Sequence, residues 1–188
     1  DLSPGELGVD VGGGSDETVI RERRGILAGR EWRIRTDRPE KIAPLVLRAL
    51  RESRATSVKI DSIGVGFGVI GELRNAASRH EHNARIIGVN VASNPRDKKK
   101  FKNLRAEMWW EIGREMSAQG LWDLSSMENA DVTCAQLLWP RWFLDLQGRI
   151  QVESKDDIIK RNGRSHDNGD ALLLAYYNGS TPRIRILR

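Results

Sequence analysis

Polar and apolar positions alternate in the first part of the chain and recur at helical spacing further on. Residues 7 to 11, LGVDV, form a short apolar run holding one acid and bounded by Gly12, Gly13 and Gly14. ETVIRERRG (17 to 25) and REWRIRT (30 to 36) then alternate, with Trp32 and Ile34 on one face. Three such runs separated by glycine and acidic turns predict an antiparallel meander. Asp37 stands where a helix N-cap would. From Lys41 to Arg54 the apolar residues Ile42, Leu45, Val46, Ala49 and Leu50 follow helical spacing, with Pro44 in the first turn or kinking it. SVKID (57 to 61) predicts a fourth strand, GVIGELRNAAS (68 to 78) a helix and ARIIGVNV (84 to 91) a fifth strand. Helix alternating with strand implies parallel neighbours, which need such crossovers.

NLRAEMWWEIGREMSAQG (103 to 120) reads as a helix with Leu104, Met108, Ile112 and Met116 on one stripe and Gly120 as its stop. A further helix near 130 to 138 ends at Pro140, and WFLDLQGRIQVES (142 to 154) reads as a hairpin turning near Gln147 and Gly148. In SKDDIIKRNG, Ser154 caps a short helix, Asp157 takes the capping-box position and Gly163 ends it. SHDNGDALLLAYY is a last helix with an acidic first turn. The expected class is α/β: a central mixed five-stranded sheet, three antiparallel then parallel strands, flanked by helices, plus a late β-hairpin. One domain over residues 1–188 is expected, and a start at Asp1 suggests a piece of a longer chain.

No apolar stretch approaches the roughly 20 residues of a membrane span, and the first residues lack the design of a secretory signal. Cys134 is the single cysteine, so no intrachain disulfide can form and a reducing, cytoplasmic setting is expected. A net charge of +5 favours partners that carry phosphate. Between residues 96 and 105 six Lys or Arg stand against the single Asp97, and residues 21 to 38 add seven arginines. A solvated face explains either run alone about as well.

Four acids share a setting. Asp10 lies within the first apolar strand, Asp61 ends the fourth, and Asp167 with Asp170 opens the last helix. Acids are depleted in strands and costly to bury, so they need a reason such as a metal or a cap. A turn role suffices for Asp61 and helix capping for Asp167; Asp10 has no local group to cap. Together the carboxylates suit Mg²⁺ or Mn²⁺, and two such ions can activate water and stabilise the leaving oxygen of a phosphodiester. Asp167 and Asp170, three apart on a helix, can face the same way. His166 reads as a local cap or a proton shuttle; His80 and His82 do not converge on one helix face. Trp109, Trp110, Trp122, Trp139 and Trp142 sit among apolar neighbours and read mostly as core.

LGVDVGGGSDETVI, VKIDSIGVGFGVIGEL, NLRAEMWWEIGREM and IQVESKDDIIKRNGRSHDNGDALLLAYY resemble the successive motifs of the nuclease domain of the large terminase subunit of tailed phages, a ribonuclease H-like fold. The likeness spans nearly the whole chain and is most specific in the last motif. Where the family often has Ser-Pro-Asp-Leu-Ala-Asp-Ala-Leu, this chain runs from Ser165 to Leu172 with both acids kept and Gly169 between them, which is expected to loosen the helix start. The resemblance implies a metal-dependent endonuclease that cuts concatemeric viral double-stranded DNA during packaging, in the cytoplasm of the infected bacterial host. It implies two divalent cations, with Asp10 bridging both, Asp61 on one, and Asp167 or Asp170 completing the other. It also implies an ATPase domain, a small terminase subunit and a portal as partners; this chain has no phosphate-loop motif of its own. Lys98, Lys99, Lys100, Lys102 and Arg105 would then grip DNA phosphates without sequence choice.

Other readings are weaker. Gly66, Gly68 and Gly71 spell the dinucleotide fingerprint, but Asp61 would repel a pyrophosphate and only Asn90 is offered to a ribose. These glycines are expected instead to let the chain turn sharply near DNA or metal. An actin-like kinase fold needs about twice the length. A non-catalytic DNA-binding or docking module on the same fold, or a RuvC-like junction resolvase, remains as the alternative.

Overall fold

The computed structural model describes residues 3–178; residues 1, 2 and 179–188, which the single-domain expectation includes, lie outside the described residues. Its centre is a five-stranded sheet of β1 (Gly5–Asp10), β2 (Thr18–Arg24), β3 (Leu27–Ile34), β4 (Ala55–Asp61) and β5 (Arg85–Val89), in the order β3-β2-β1-β4-β5. β1 to β3 form the antiparallel meander, and β4 and β5 add in parallel beside β1. A two-stranded hairpin, β6 (Trp142–Leu144) and β7 (Ile150–Val152), stands apart. Asp145 tightens its turn by accepting from the backbone of Gln147 and Arg149, with Gly148 at positive φ.

Alternation along the strands decides what each sheet face holds. Leu7, Val9, Ile20, Val58 and Ile60 pack on one face against α1 (Pro39–Ser53) and α2 (Val65–Ser78). The opposite face carries α6 (Asp167–Tyr176), whose Leu172, Leu173 and Leu174 pack with Leu104, Met108, Trp109 and Ile112. Between these elements lie α3 (Leu104–Met108), which continues as a π-helical stretch over Trp109–Met116, then α4 (Ala130–Leu137) and α5 (Lys155–Asn162). The helix expected over 103 to 120 is therefore an α-turn followed by wider turns. Ser154 caps α5 by accepting from the Asp157 backbone, and Gly163 ends it in the left-handed region, as the sequence pattern predicts.

Three expectations about element ends are corrected. Asp10 is the last residue of β1, not an interior one. Arg38, not Asp37, occupies the α1 N-cap, because Pro39 already fits the first helical position; Pro44 lies inside the helix. α2 begins at Val65, so Gly66, Gly68 and Gly71 are helical. They do not turn the chain: a Cβ on Gly66 would lie 1.8 Å from the Asp61 carbonyl oxygen, and one on Gly68 2.6 Å from Pro39, so these two allow α2 to pack closely.

An approach of a helix backbone to a strand occurs at Gly8. A Cβ there would lie 2.1 Å from the Ala175 backbone nitrogen and 2.2 Å from the Ala171 carbonyl oxygen. Helix α6 thus rests its backbone directly on β1. Below its C-terminal end, Arg23 Nε and Lys59 Nζ both donate to the Ala175 carbonyl, at 2.5 and 2.8 Å. Cations there meet the negative end of the helix dipole.

Gly8→Ala is expected to destabilise the protein by at least about 3 kcal/mol, since the colliding atoms are backbone. Gly71→Ala, on an exposed helical position with nothing within 4 Å of the new Cβ, is expected to stabilise by about 0.5–1 kcal/mol. Urea unfolding of both variants checks the pair.

Candidate metal centre

β1 and β4 are parallel neighbours, with Val9 opposite Ile60, so Asp10 and Asp61 stand together at the carboxyl ends of adjacent strands. The first turn of α6 brings Asp170 to the same edge. Asp10, Asp61 and Asp170 line one cavity of about 360 Å³, together with Lys102, Asn103, Arg105, Trp109, Gln151, Ser154 and Lys155. The carboxyl edge of parallel strands is where open α/β sheets generally bind ligands.

Asp167 differs from Asp170. Its carboxylate accepts the Ser165 hydroxyl and lies 2.8 Å from Lys155 Nζ. It lines a separate cavity with Arg33, Arg35 and Arg164 on the other side of the helix mouth. Of the two acids, Asp170 lines the cavity that Asp10 and Asp61 share, and Asp167 lines the other one.

Lys155 was not singled out by the sequence. Its Nζ lies 3.2 Å from Asp10 Oδ2 as well as 2.8 Å from Asp167, so an ammonium stands between acids that sequence reading assigns to metal ions. No local signal announces it, because these partners come from β1 and α6. Of the two readings of His166, the cap is not seen. The side chain is fully buried at the N-cap position of α6 but makes no capping hydrogen bond. Instead its Nε2 lies 2.8 Å from Arg105 and 3.2 Å from Asp170 Oδ2. A guanidinium can only donate, so Nε2 accepts from Arg105 and the ring proton belongs on Nδ1, which has no partner.

The charges compete. Burial pushes the Asp10 carboxyl, only 4 % exposed, well above its ordinary pKa; Lys155 opposes this, while Asp170, Asp167 and Asp61 add to it. Asp61 is raised to about 6, chiefly by burial and further by Asp170, against the Ile63 backbone N–H and Lys155. Asp170 is also buried, which acts to raise it, but His166, Arg105 and Lys155 and the Trp109 N–H outweigh burial and lower it. Burial likewise acts to lower Lys155, and Asp10, Asp170 and Asp167 overcome it, so that lysine stays protonated. Burial lowers the His166 pKa, with Asp170 acting the other way.

Among the described residues no three His, Cys, Asp or Glu side chains are close enough to hold a metal ion as they stand. The donor set nevertheless fits hard cations. The ligating atoms facing the cavity are carboxylate oxygens without thiol or imidazole, and their mutual repulsion is relieved by positive charge, here that of Lys155.

Of the five cations expected to grip DNA, Lys102 and Arg105 line the cavity. Lys98 and Lys99 are exposed on the preceding turn, and Lys100 lies 3.6 Å from Glu115 and 4.9 Å from the Phe101 ring centre. The arginine run of 21 to 38 divides: Arg21 and Arg23 are buried, Arg24 and Arg30 are partly covered, and Arg33, Arg35 and Arg38 are exposed. Arg21 is fully buried on Glu31, Arg23 pairs with Glu6, and Arg30 and Arg33 pair with Glu22 and Glu31. Trp109 is core as expected, but Trp142 is 53 % exposed on the hairpin. His82 Nε2 bonds the Leu73 carbonyl.

An antiparallel meander followed by two parallel strands, with a late helix across the first strand, is the ribonuclease H-like arrangement. Within that class the fold is shared with nuclease domains of phage large terminase subunits. The nuclease domain of the large terminase subunit of bacterial virus Sf6 matches at TM-score 0.76 and 17% identity over 93% of this chain and 88% of that one. A variant of the same domain with manganese and beta-thujaplicinol matches at 0.76 and 16%, with the same coverage. The large terminase nuclease of thermophilic phage G20c with bound magnesium matches at 0.62 and 18% over 93% and 81%. No protein-family model and no curated protein matches the sequence.

Because Asp61 has a folded-state pKa near 6 against an ordinary 3.8, folding favours its protonated form. That contribution is complete below about pH 4 and is lost as pH rises through 6. Asp61→Asn is therefore expected to stabilise the metal-free protein at pH 7 by roughly 1–3 kcal/mol and to flatten the fall in stability between pH 4 and 6. Urea unfolding at successive pH values checks it; a variant with the wild-type pH profile would contradict the assignment.

Proposed function

We propose that this protein is a metal-dependent DNA endonuclease that cuts double-stranded viral DNA during genome packaging. The observation that supports it best is the convergence of carboxylates from β1, β4 and α6 on one cavity whose wall carries Lys102 and Arg105. The relatives in fold are named as terminase nuclease domains, and two of the structures hold manganese or magnesium. On this reading the chain works beside an ATPase motor, a small terminase subunit and a portal, in the cytoplasm of an infected bacterium.

Asp10, Asp61 and Asp170 would hold two divalent cations, Mg²⁺ or Mn²⁺, with Asp167 a further acid behind them. Bound there, such ions supply activation of a water and stabilisation of the leaving oxygen of the phosphodiester. Lys155, tied to Asp10 and Asp167, balances the acids before cations arrive and gives up part of that role when they do. Lys102, held by Gln151 at 2.7 Å, and Arg105, held by the Glu153 carbonyl at 2.7 Å, would steady the phosphates flanking the bond that breaks. Those contacts read charge and not sequence.

The occupation of the acids by Lys155 also favours a second reading, a DNA-binding module on the same fold that does not cut. Supercoiled plasmid with Mn²⁺ or Mg²⁺, and EDTA as control, separates the two. Nicking that needs the metal and drops at least about 100-fold in Asp10→Ala is expected. Wild-type protein that binds plasmid and never nicks it favours the second reading, and undiminished nicking by Asp10→Ala overturns the metal-nuclease reading of this cavity. Lys102→Ala is expected to weaken DNA binding and reduce the log–log salt slope by about 1, measured by fluorescence anisotropy over a range of salt.

A further inference from the structure

We propose that Trp109 is a positioning residue for Asp170, a role that rests on the metal-nuclease reading above. The indole is buried, 7 % exposed, in the cluster with Leu172 and Leu173. Packing explains the ring but not its polar atom. A buried indole needs an acceptor, and Trp109 Nε1 donates to Asp170 Oδ1 at 3.0 Å. Asp170 Oδ2 lies 3.2 Å from His166 Nε2, which with the ring proton on Nδ1 has none to give it, so the indole N–H is the donor that fixes the carboxylate from outside the cavity. The carboxylate is thereby held in one orientation toward the space it shares with Asp10 and Asp61.

Two irregularities of the chain serve this contact. Gly169 precedes Asp170 inside α6, and a Cβ there would lie 3.0 Å from Trp109 Cη2, tighter than ordinary packing allows. This glycine lets the ring lie against the helix backbone. Trp109 also opens the π-helical stretch of eight residues, and π-turns are rare and frequently lie at functional sites. Below the ring, Gly113 would bring a Cβ to within 3.5 Å of Trp109 Cε3. The neighbouring Trp110 has no such setting, since its Nε1 bonds Glu115 at 2.7 Å on the far side.

The hydrogen bond from a neutral donor orients Asp170 without cancelling its charge. That distinguishes it from Lys155, which competes with a cation for the acids. Groups that orient metal ligands from behind typically change affinity 10–100-fold when removed.

The test replaces the N–H and keeps the ring. Trp109→Phe and, as a closer isostere, benzothienylalanine at position 109 are compared with wild type by isothermal titration calorimetry with Mn²⁺, thermal melting without metal, and plasmid nicking over a range of Mn²⁺. Expected are Mn²⁺ binding weaker by about tenfold, a melting temperature little changed, and nicking that recovers at high Mn²⁺. Trp110→Phe should move none of these. Wild-type Mn²⁺ affinity in the benzothienylalanine protein would overturn the role of Trp109 and leave the nuclease reading standing. Failure of wild type itself to bind Mn²⁺ or to nick would overturn both. Should Trp109→Phe not fold, the isostere alone decides, because it preserves the packing.

Discussion

Everything at the site depends on one contact between backbones. Gly8 leaves no side chain between β1 and α6, so the helix lies on the strand at a distance fixed by main-chain atoms. Asp10 is two residues on from Gly8 on the same strand face, and Asp170 precedes Ala171, one of the residues whose backbone meets that glycine. The spacing of the two acids therefore inherits the rigidity of a strand–helix contact instead of relying on loops. Asp61 joins them because β4 runs parallel to β1 and ends beside it.

The α6 face of the sheet is unusual for an interior. Arg21, Arg23 and Lys59 are buried there alongside Asp10. Burial acts against each charge, and the chain answers with partners: Glu31, Thr133 and the Glu128 carbonyl for Arg21, Glu6 and the Ala175 carbonyl for Arg23 and Lys59. Lys59 still falls to about 8, burial outweighing Glu6. Arg23 and Lys59 meet the C-terminal end of α6 and Asp167 and Asp170 lie in its first turn, so the helix dipole opposes neither pair.

Much of this was legible in the sequence, and the failures have particular causes. Alternating runs located β2 and β3 and short apolar runs the other strands of the main sheet, and acids at Asp10 and Asp61 stood out because strands rarely contain them. The first turn of α2 was missed because Gly66 read as a turn residue ahead of the helical pattern; the reason for it is the Asp61 carbonyl, which no local pattern reveals. Lys155 was invisible because its partner Asp10 is 145 residues away. His166 was taken for a cap because a polar residue before an acidic helix usually is one, and its true partners, Arg105 and Asp170, meet it only through the fold. The burial of Arg21 and Arg23 in β2 was hidden for a related reason: alternating charge looks solvated until a helix covers it.

The wide turns between Trp109 and Met116 have an evolutionary consequence. A π-helical stretch behaves as an α-helix carrying surplus chain. Deleting one residue within it would let the segment relax toward regular α-helix while rotating its two ends relative to each other by about 100°. Trp109 and Ile112 could not then both keep their seats. In this segment the more regular helix and the ordered acid are alternatives, and a lineage selected only for a sturdier fold would tend to trade the second for the first.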